Sequence, residues 1–248
     1  MSSTLIVIGD SYTTPHLCVS PCESFWGLAA KDLQVDNIIN YSHSGLAFDL
    51  ILHILLNEKF DWDTSYFIIG VPPIARVGLF IDQPTPKRHS AYMCNQVFEE
   101  WRIGCNSLTN CKWLDYAEVF SKDKYFLANY NHGWQEVLIL EKILLAHSFL
   151  KIRNAKFIIA NLTAPILLQE SWEVSEQIMK TCHDLPECIL FKNTQFDINR
   201  ADGIKPVDRD PDDPDCWFGH HGSAGNLNWY QKVLNVKMKE LGWYDTKI

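Results

Sequence analysis

The sequence predicts an α/β protein with a parallel sheet covered by helices on both faces. Three observations carry that expectation. Short apolar runs recur along the 248 residues with helix-length stretches between them. The first run, Thr4-Leu5-Ile6-Val7-Ile8, is continuous rather than alternating, as in a strand buried on both faces. It leads directly into Gly9-Asp10-Ser11, so the next side chains stand at the carboxyl edge of the sheet, where open α/β folds bind ligands.

The strand candidates are 4–9, 37–41, 65–71, 156–161 and 188–192. The helix candidates are 22–34, 45–58, 90–108, 133–153, 171–183 and 223–241. Within 133–153, Val137, Leu138, Leu140, Ile143, Leu144 and Leu145 share one wide face, the spacing of an amphipathic helix. Strands alternating with helices give parallel neighbours joined by crossovers. No internal repeat or low-complexity linker divides the chain, which predicts one domain over 1–248. The 78–132 stretch is less regular and reads as an insertion or lid. The 202–219 stretch, rich in Pro and Asp, reads as a long surface loop of the kind that is functional or disordered.

Composition narrows the function. The chain is 47% hydrophobic and 21% charged, an ordinary globular balance. A net charge of −8 argues against a nucleic-acid-binding face, which needs a basic patch. No apolar run reaches the ~18 residues of a membrane span. Only three residues precede the first strand, with no basic region, so no signal peptide is expected and the cytoplasm is the expected location. The eight cysteines (18, 22, 94, 105, 111, 182, 188 and 216) include no C-x-x-C pair and are expected to be reduced thiols. The Asn161-Leu162-Thr163 sequon ends an apolar strand and is expected to be silent.

Three further blocks fall at strand ends or ahead of helices. They are Tyr41-Ser42-His43-Ser44-Gly45, Gly70-Val71-Pro72-Pro73, and Asp215-Cys216-Trp217-Phe218-Gly219-His220-His221-Gly222-Ser223-Ala224-Gly225-Asn226. In a doubly wound sheet such loops converge. A serine is a weak nucleophile and needs an adjacent base; a histidine supplies it and a carboxylate orients the histidine. Ser11, His220 and Asp215 are the candidates, with His221 the alternative base. The backbone N–H groups of Ser11 and of Gly45, which opens a helix, are candidate oxyanion donors. Asp10 is read chiefly as a turn residue. Asp10, Arg76 and Trp217 are the candidates for lining the substrate site.

These blocks, in this order and across nearly the whole chain, resemble the SGNH/GDSL hydrolases: Gly9-Asp10-Ser11 after the first strand, Ser44-Gly45 before a helix, and a His in a Gly/Ser-rich loop before the last helix. The resemblance implies a three-layer α/β/α sandwich with a doubly wound parallel five-stranded sheet. It also implies hydrolysis of an acyl or O-acetyl ester, on a small molecule or a carbohydrate, through a serine acyl-enzyme, with no metal or organic cofactor. Two departures stand out. The family's Gly-x-Asn, whose Asn is an oxyanion donor, is replaced by Gly70-Val71-Pro72, with Arg76 close behind as a substitute. The family's Asp stands three residues before the His, where this chain has Trp217; Asp215 is the nearest acid, with Asp213, Asp212 and Asp210 as alternatives.

Rival readings remain open on the residues. The missing Asn fits a catalytically impaired SGNH-like module that binds a glycan or a protein. Ser11-Tyr12-Thr13-Thr14 resembles the phosphate-cradling loop of flavodoxin-like FMN binders, although it lacks a glycine and Pro15 removes a donor. His220, His221 and the acids of 208–215 could form a metal site, but adjacent histidines point apart in most backbones. His43 reads as a loop residue, His16 as a residue near the cleft, and His132 and His147 as structural.

Overall fold

A computed structural model describes residues 2–14, 18, 20–42, 46, 48–72, 132–163, 173–208 and 219–244. The helix read at 90–108, the insertion read at 78–132 apart from its last residue, and His16, His43, Gly45, Arg76, Asp210, Asp212, Asp213, Asp215 and Trp217 lie outside the described residues.

Strands β1 (Thr4–Ile8), β2 (Asn37–Asn40), β3 (Ser65–Val71), β4 (Lys156–Asn161) and β5 (Cys188–Ile189) form one parallel sheet in the order β2-β1-β3-β4-β5. The order and direction agree with the α/β expectation. The central strands are buried almost throughout, whereas β2, on an edge, is half-exposed. The fifth strand is shorter than the expected 188–192. β4 ends at Asn161, whose side-chain amide donates to the Leu190 carbonyl at 3.3 Å, so a side chain takes over where ladder pairing stops.

Helices cover both faces. On one, Ile6, Ile8, Phe67, Ile69, Phe157 and Ile159 pack against α2 (Phe48–Asn57), α3 (His132–Ile152) and α4 (Glu173–His183). On the other, Leu5, Val7, Ile68, Ile158 and Ala160 pack against α1 (Phe25–Leu33) and the C-terminal helices. Odd and even strand positions feed different layers, as the two-residue strand period requires. The result is the three-layer α/β/α sandwich. Trp26 and Trp229 are fully buried and Trp243 nearly so, so these three of the nine tryptophans fill core rather than line a ligand site.

Local chemistry sets the helix ends. Pro21 and the Ser20 cap hold residues 21–23 as a 3₁₀ turn, so α1 proper starts after Ser24, whose Oγ accepts from the Gly27 N–H at 3.0 Å. Helix α5 (Gln195–Ala201) was not expected, although its signal is present: Thr194 caps it by accepting from the Asp197 N–H at 3.1 Å, a Thr-x-x-Asp pattern. The last helix, read as one piece over 223–241, is α6 (Ser223–Trp229), a π turn (Tyr230–Leu234) and α7 (Asn235–Glu240). Along the π turn Tyr230, Val233 and Leu234 are buried, and the Tyr230 hydroxyl donates to Asp32 of α1 at 2.5 Å.

His147 is structural, as expected: it is buried and pairs with Glu187 at 2.9 Å, which also holds Lys151 at 2.8 Å. Cys18, Cys22, Cys182 and Cys188 are free thiols. Asn161 is 1% exposed and its amide is committed, so the sequon is closed to modification in the folded chain. Among the described residues no helix is long and apolar enough to cross a membrane.

Candidate active site

The turn after β1 lies at the β1/β3 junction, the point in this strand order where connections diverge and ligands bind. Asp10 builds the turn. Its carbonyl accepts from the N–H groups of Thr13 at 3.0 Å and Thr14 at 3.2 Å, and its Oδ1 accepts from the Tyr12 N–H at 3.1 Å. Asp10 is fully buried and holds the turn. Thr14 Oγ1 donates to the Ser11 carbonyl at 2.8 Å. Ser11 is thus a buried residue in a turn fixed on both sides.

Thr13 explains two glycines. It is fully buried, its carbonyl accepts from Trp26 Nε1 at 2.9 Å, and its hydroxyl lies where a Cβ on Gly9 or on Gly70 would have to stand. β1 and β3 can therefore carry the turn only with glycine at both positions. Gly70→Ala is expected to destabilise the fold by about 1–3 kcal/mol, read as a lower urea midpoint. Adding Thr13→Ala should return part of that loss, because the two sites share one contact.

The opposite wall comes from the C-terminal part of the chain. His220 Nδ1 lies 2.6 Å from Asp208 Oδ2, and the His220 N–H donates to Asp208 Oδ1 at 2.5 Å. The Val207 N–H returns a bond to the His220 carbonyl at 2.9 Å, so backbone and side chain fix the pair together. The pair is partly open, with the His220 side chain 23% and the Asp208 side chain 39% exposed. The His220 ring packs on Tyr12, centroids 4.5 Å apart, which places it beside the Ser11 turn. Partial burial opposes ionisation of Asp208, but the bonds from the His220 ring and N–H outweigh it and hold the carboxyl below its usual range.

His221 is buried, and its Cβ lies 2.7 Å from where a Cβ on Gly225 would stand. Asn226 locks this segment to α1. Its Nδ2 donates to the carbonyls of His221 at 2.9 Å and Gly222 at 3.0 Å, while its Oδ1 accepts from the Phe25 N–H at 3.3 Å and Gln195 Nε2 at 3.2 Å. Burial, then the neighbouring His220, lowers the His221 pKa from the usual 6.5 to about 4, against a smaller opposing pull from Asp208. The folded chain refuses a proton that the unfolded chain accepts. Stability is therefore full above about pH 6.5 and declines as pH falls toward 4, by up to roughly 3 kcal/mol. Urea midpoints at pH 7 and pH 5 should differ more in the wild type than in His221→Leu.

Of the residues singled out in the sequence, the structure brings Ser11, Asp10 and His220 to one edge of the sheet. Asp215, Trp217, Arg76 and Gly45 lie outside the described residues. The carboxylate seen on His220 is Asp208, twelve residues earlier, which the sequence reading did not single out. Nothing in spacing separated it from the other acids of 208–215; the backbone bonds between 207 and 220 make the match. Tyr12 and Asn226 were also missed. Asn161 does not replace the absent third-block amide: its Nδ2 goes to Leu190, and its Oδ1 accepts from the Thr163 N–H at 3.0 Å.

No protein-family model matches the chain. No curated protein sequence matches it. Solved structures do. TesA is 13% identical over 96% of this chain and 99% of its own, with a TM-score of 0.50. A member of the lipolytic protein G-D-S-L family from Veillonella parvula is 12% identical over 95% and 98%, with a TM-score of 0.47. The acetyl xylan esterase AlAXEase is 12% identical over 94% and 98%, with a TM-score of 0.46. The likeness to TesA bears out the fold expected from the sequence: a doubly wound parallel five-stranded sheet between two helical layers.

Proposed function

We propose that the protein is a serine ester hydrolase of SGNH type, acting on an acyl or O-acetyl ester through an acyl-enzyme. The observation that carries this reading is the Asp208–His220 pair packed beside the Ser11 turn at the carboxyl edge of the sheet. Ser11 Oγ attacks the ester carbonyl while His220 Nε2 takes its proton. Asp208 holds the Nδ1–H side of the ring and stabilises the imidazolium. His220 then returns the proton to the departing alcohol, and a water activated by the same ring releases the acid.

The Tyr12, Thr13 and Thr14 N–H groups are committed to Asp10 and so are excluded as oxyanion donors; the Ser11 N–H is the turn's candidate. Gly45 and Arg76 are proposed with it, and Trp217 as a substrate wall. The same commitment counts against the FMN reading, since these donors would have to hold the phosphate. With Pro72 in place of an amide donor, turnover on unselective esters is expected below the ~10 s⁻¹ typical of enzymes. The test is initial-rate hydrolysis of a chromogenic acetyl ester by the wild type and by His220→Ala and His221→Ala. Only the first substitution should abolish the rate. Equal activity of His220→Ala and the wild type would reject the reading.

A further inference from the structure

Tyr12 follows the nucleophile candidate and has no part in the chemistry above, yet it is tied to both halves of the site. Its N–H is held by Asp10, and its side chain packs on the core shared by α1 and the C-terminal helices. Its ring lies 4.5 Å from that of His220, at 32° between planes. Among the described residues, Asp208 bonds the His220 ring at Nδ1, and the buried His221 is also close enough to act on it. The imidazole is held at Nδ1 by a carboxylate and lies against a tilted aromatic ring.

We propose that Tyr12 is a positioning residue that holds the His220 ring in the plane set by Asp208 and offers its π face to the imidazolium formed during acyl transfer. A carboxylate bond alone fixes one atom of the ring and leaves rotation about that bond. The Tyr12 ring, tilted 32° to the imidazole with centroids 4.5 Å apart, adds a second restraint on that rotation. The negative face of an aromatic ring also attracts a cation placed over it, an effect that grows as water is excluded. The benefit appears when the ring carries the proton, so it falls on the transition state rather than on substrate binding. The proposal rests on the serine-hydrolase reading for its catalytic consequence, but the ring geometry stands without it.

The test compares Tyr12→Leu and Tyr12→Phe with the wild type, with far-UV circular dichroism and thermal melting to establish that each variant is folded. The first readout is the low-field proton resonance of the His220 Nδ1–H bonded to Asp208, assigned through its loss in His220→Gln. It should be present in the wild type and Tyr12→Phe, and broadened or lost in Tyr12→Leu. The second readout is kinetic: Tyr12→Leu should lower kcat by roughly 2- to 10-fold with KM nearly unchanged, and Tyr12→Phe should restore it. An unchanged resonance in Tyr12→Leu overturns the proposal, as does a Tyr12→Phe variant as impaired as Tyr12→Leu. A wild type that hydrolyses no ester would reject the esterase reading instead, and the resonance would still decide whether Tyr12 holds the ring.

Discussion

Ser11→Ala is expected to reduce ester hydrolysis by about 10⁴- to 10⁶-fold, to near the buffer rate, without loss of stability. The size follows from mechanism: without the hydroxyl there is no acyl-enzyme, and only binding and the oxyanion donors remain. The neutrality toward folding follows from the turn. The bonds among the Asp10 carbonyl and carboxylate, the Tyr12, Thr13 and Thr14 N–H groups, the Thr14 hydroxyl and the Ser11 carbonyl all survive the substitution. Activity on a chromogenic acetyl ester and the urea midpoint, measured on one preparation, check both halves. A variant that keeps wild-type turnover would remove Ser11 from the mechanism.

Asp208→Asn carries the second large effect. An amide can present its NH₂ to His220 Nδ1 and so favour the tautomer with its proton on Nε2, where a base cannot accept another. A fall in kcat of about 10²- to 10⁴-fold is expected, with KM little changed. Asp215→Asn, assayed beside it, should stay within about twofold of wild type. The reverse pattern would return the role to the acid nearest His220 in sequence. This comparison bears on the one point where spacing and geometry gave different carboxylates.

The strands were legible because burial on both faces writes itself as an unbroken apolar run: Leu5 to Ile8, Phe67 to Ile69 and Phe157 to Ala160 all stand at the centre of the sheet. The nucleophile candidate was legible for the same reason, since a glycine-ended buried strand delivers its next side chains to the sheet's edge. What escaped was set by contacts between distant segments. Asp208 is selected by a backbone bond between Val207 and His220, which no local pattern records. Tyr12 reads as one more core aromatic until the C-terminal histidine is laid on it. The short β5 and the π turn also depend on tertiary partners, Asn161 and Asp32. Helix α5 is a different case: the Thr194 cap was in the sequence, but seven residues are too few for apolar periodicity to draw notice.

The most direct test of the central claim is covalent labelling. A fluorophosphonate probe reacts with a serine only when a base activates it, whatever the natural substrate, and the adduct mimics the tetrahedral intermediate. Incubated with the folded protein and followed by peptide mass spectrometry, the probe should add one equivalent to the peptide containing Ser11. That adduct should be absent in Ser11→Ala and in His220→Ala and retained in His221→Ala. A wild type that takes up no probe, or an adduct on a serine other than Ser11, would contradict the account.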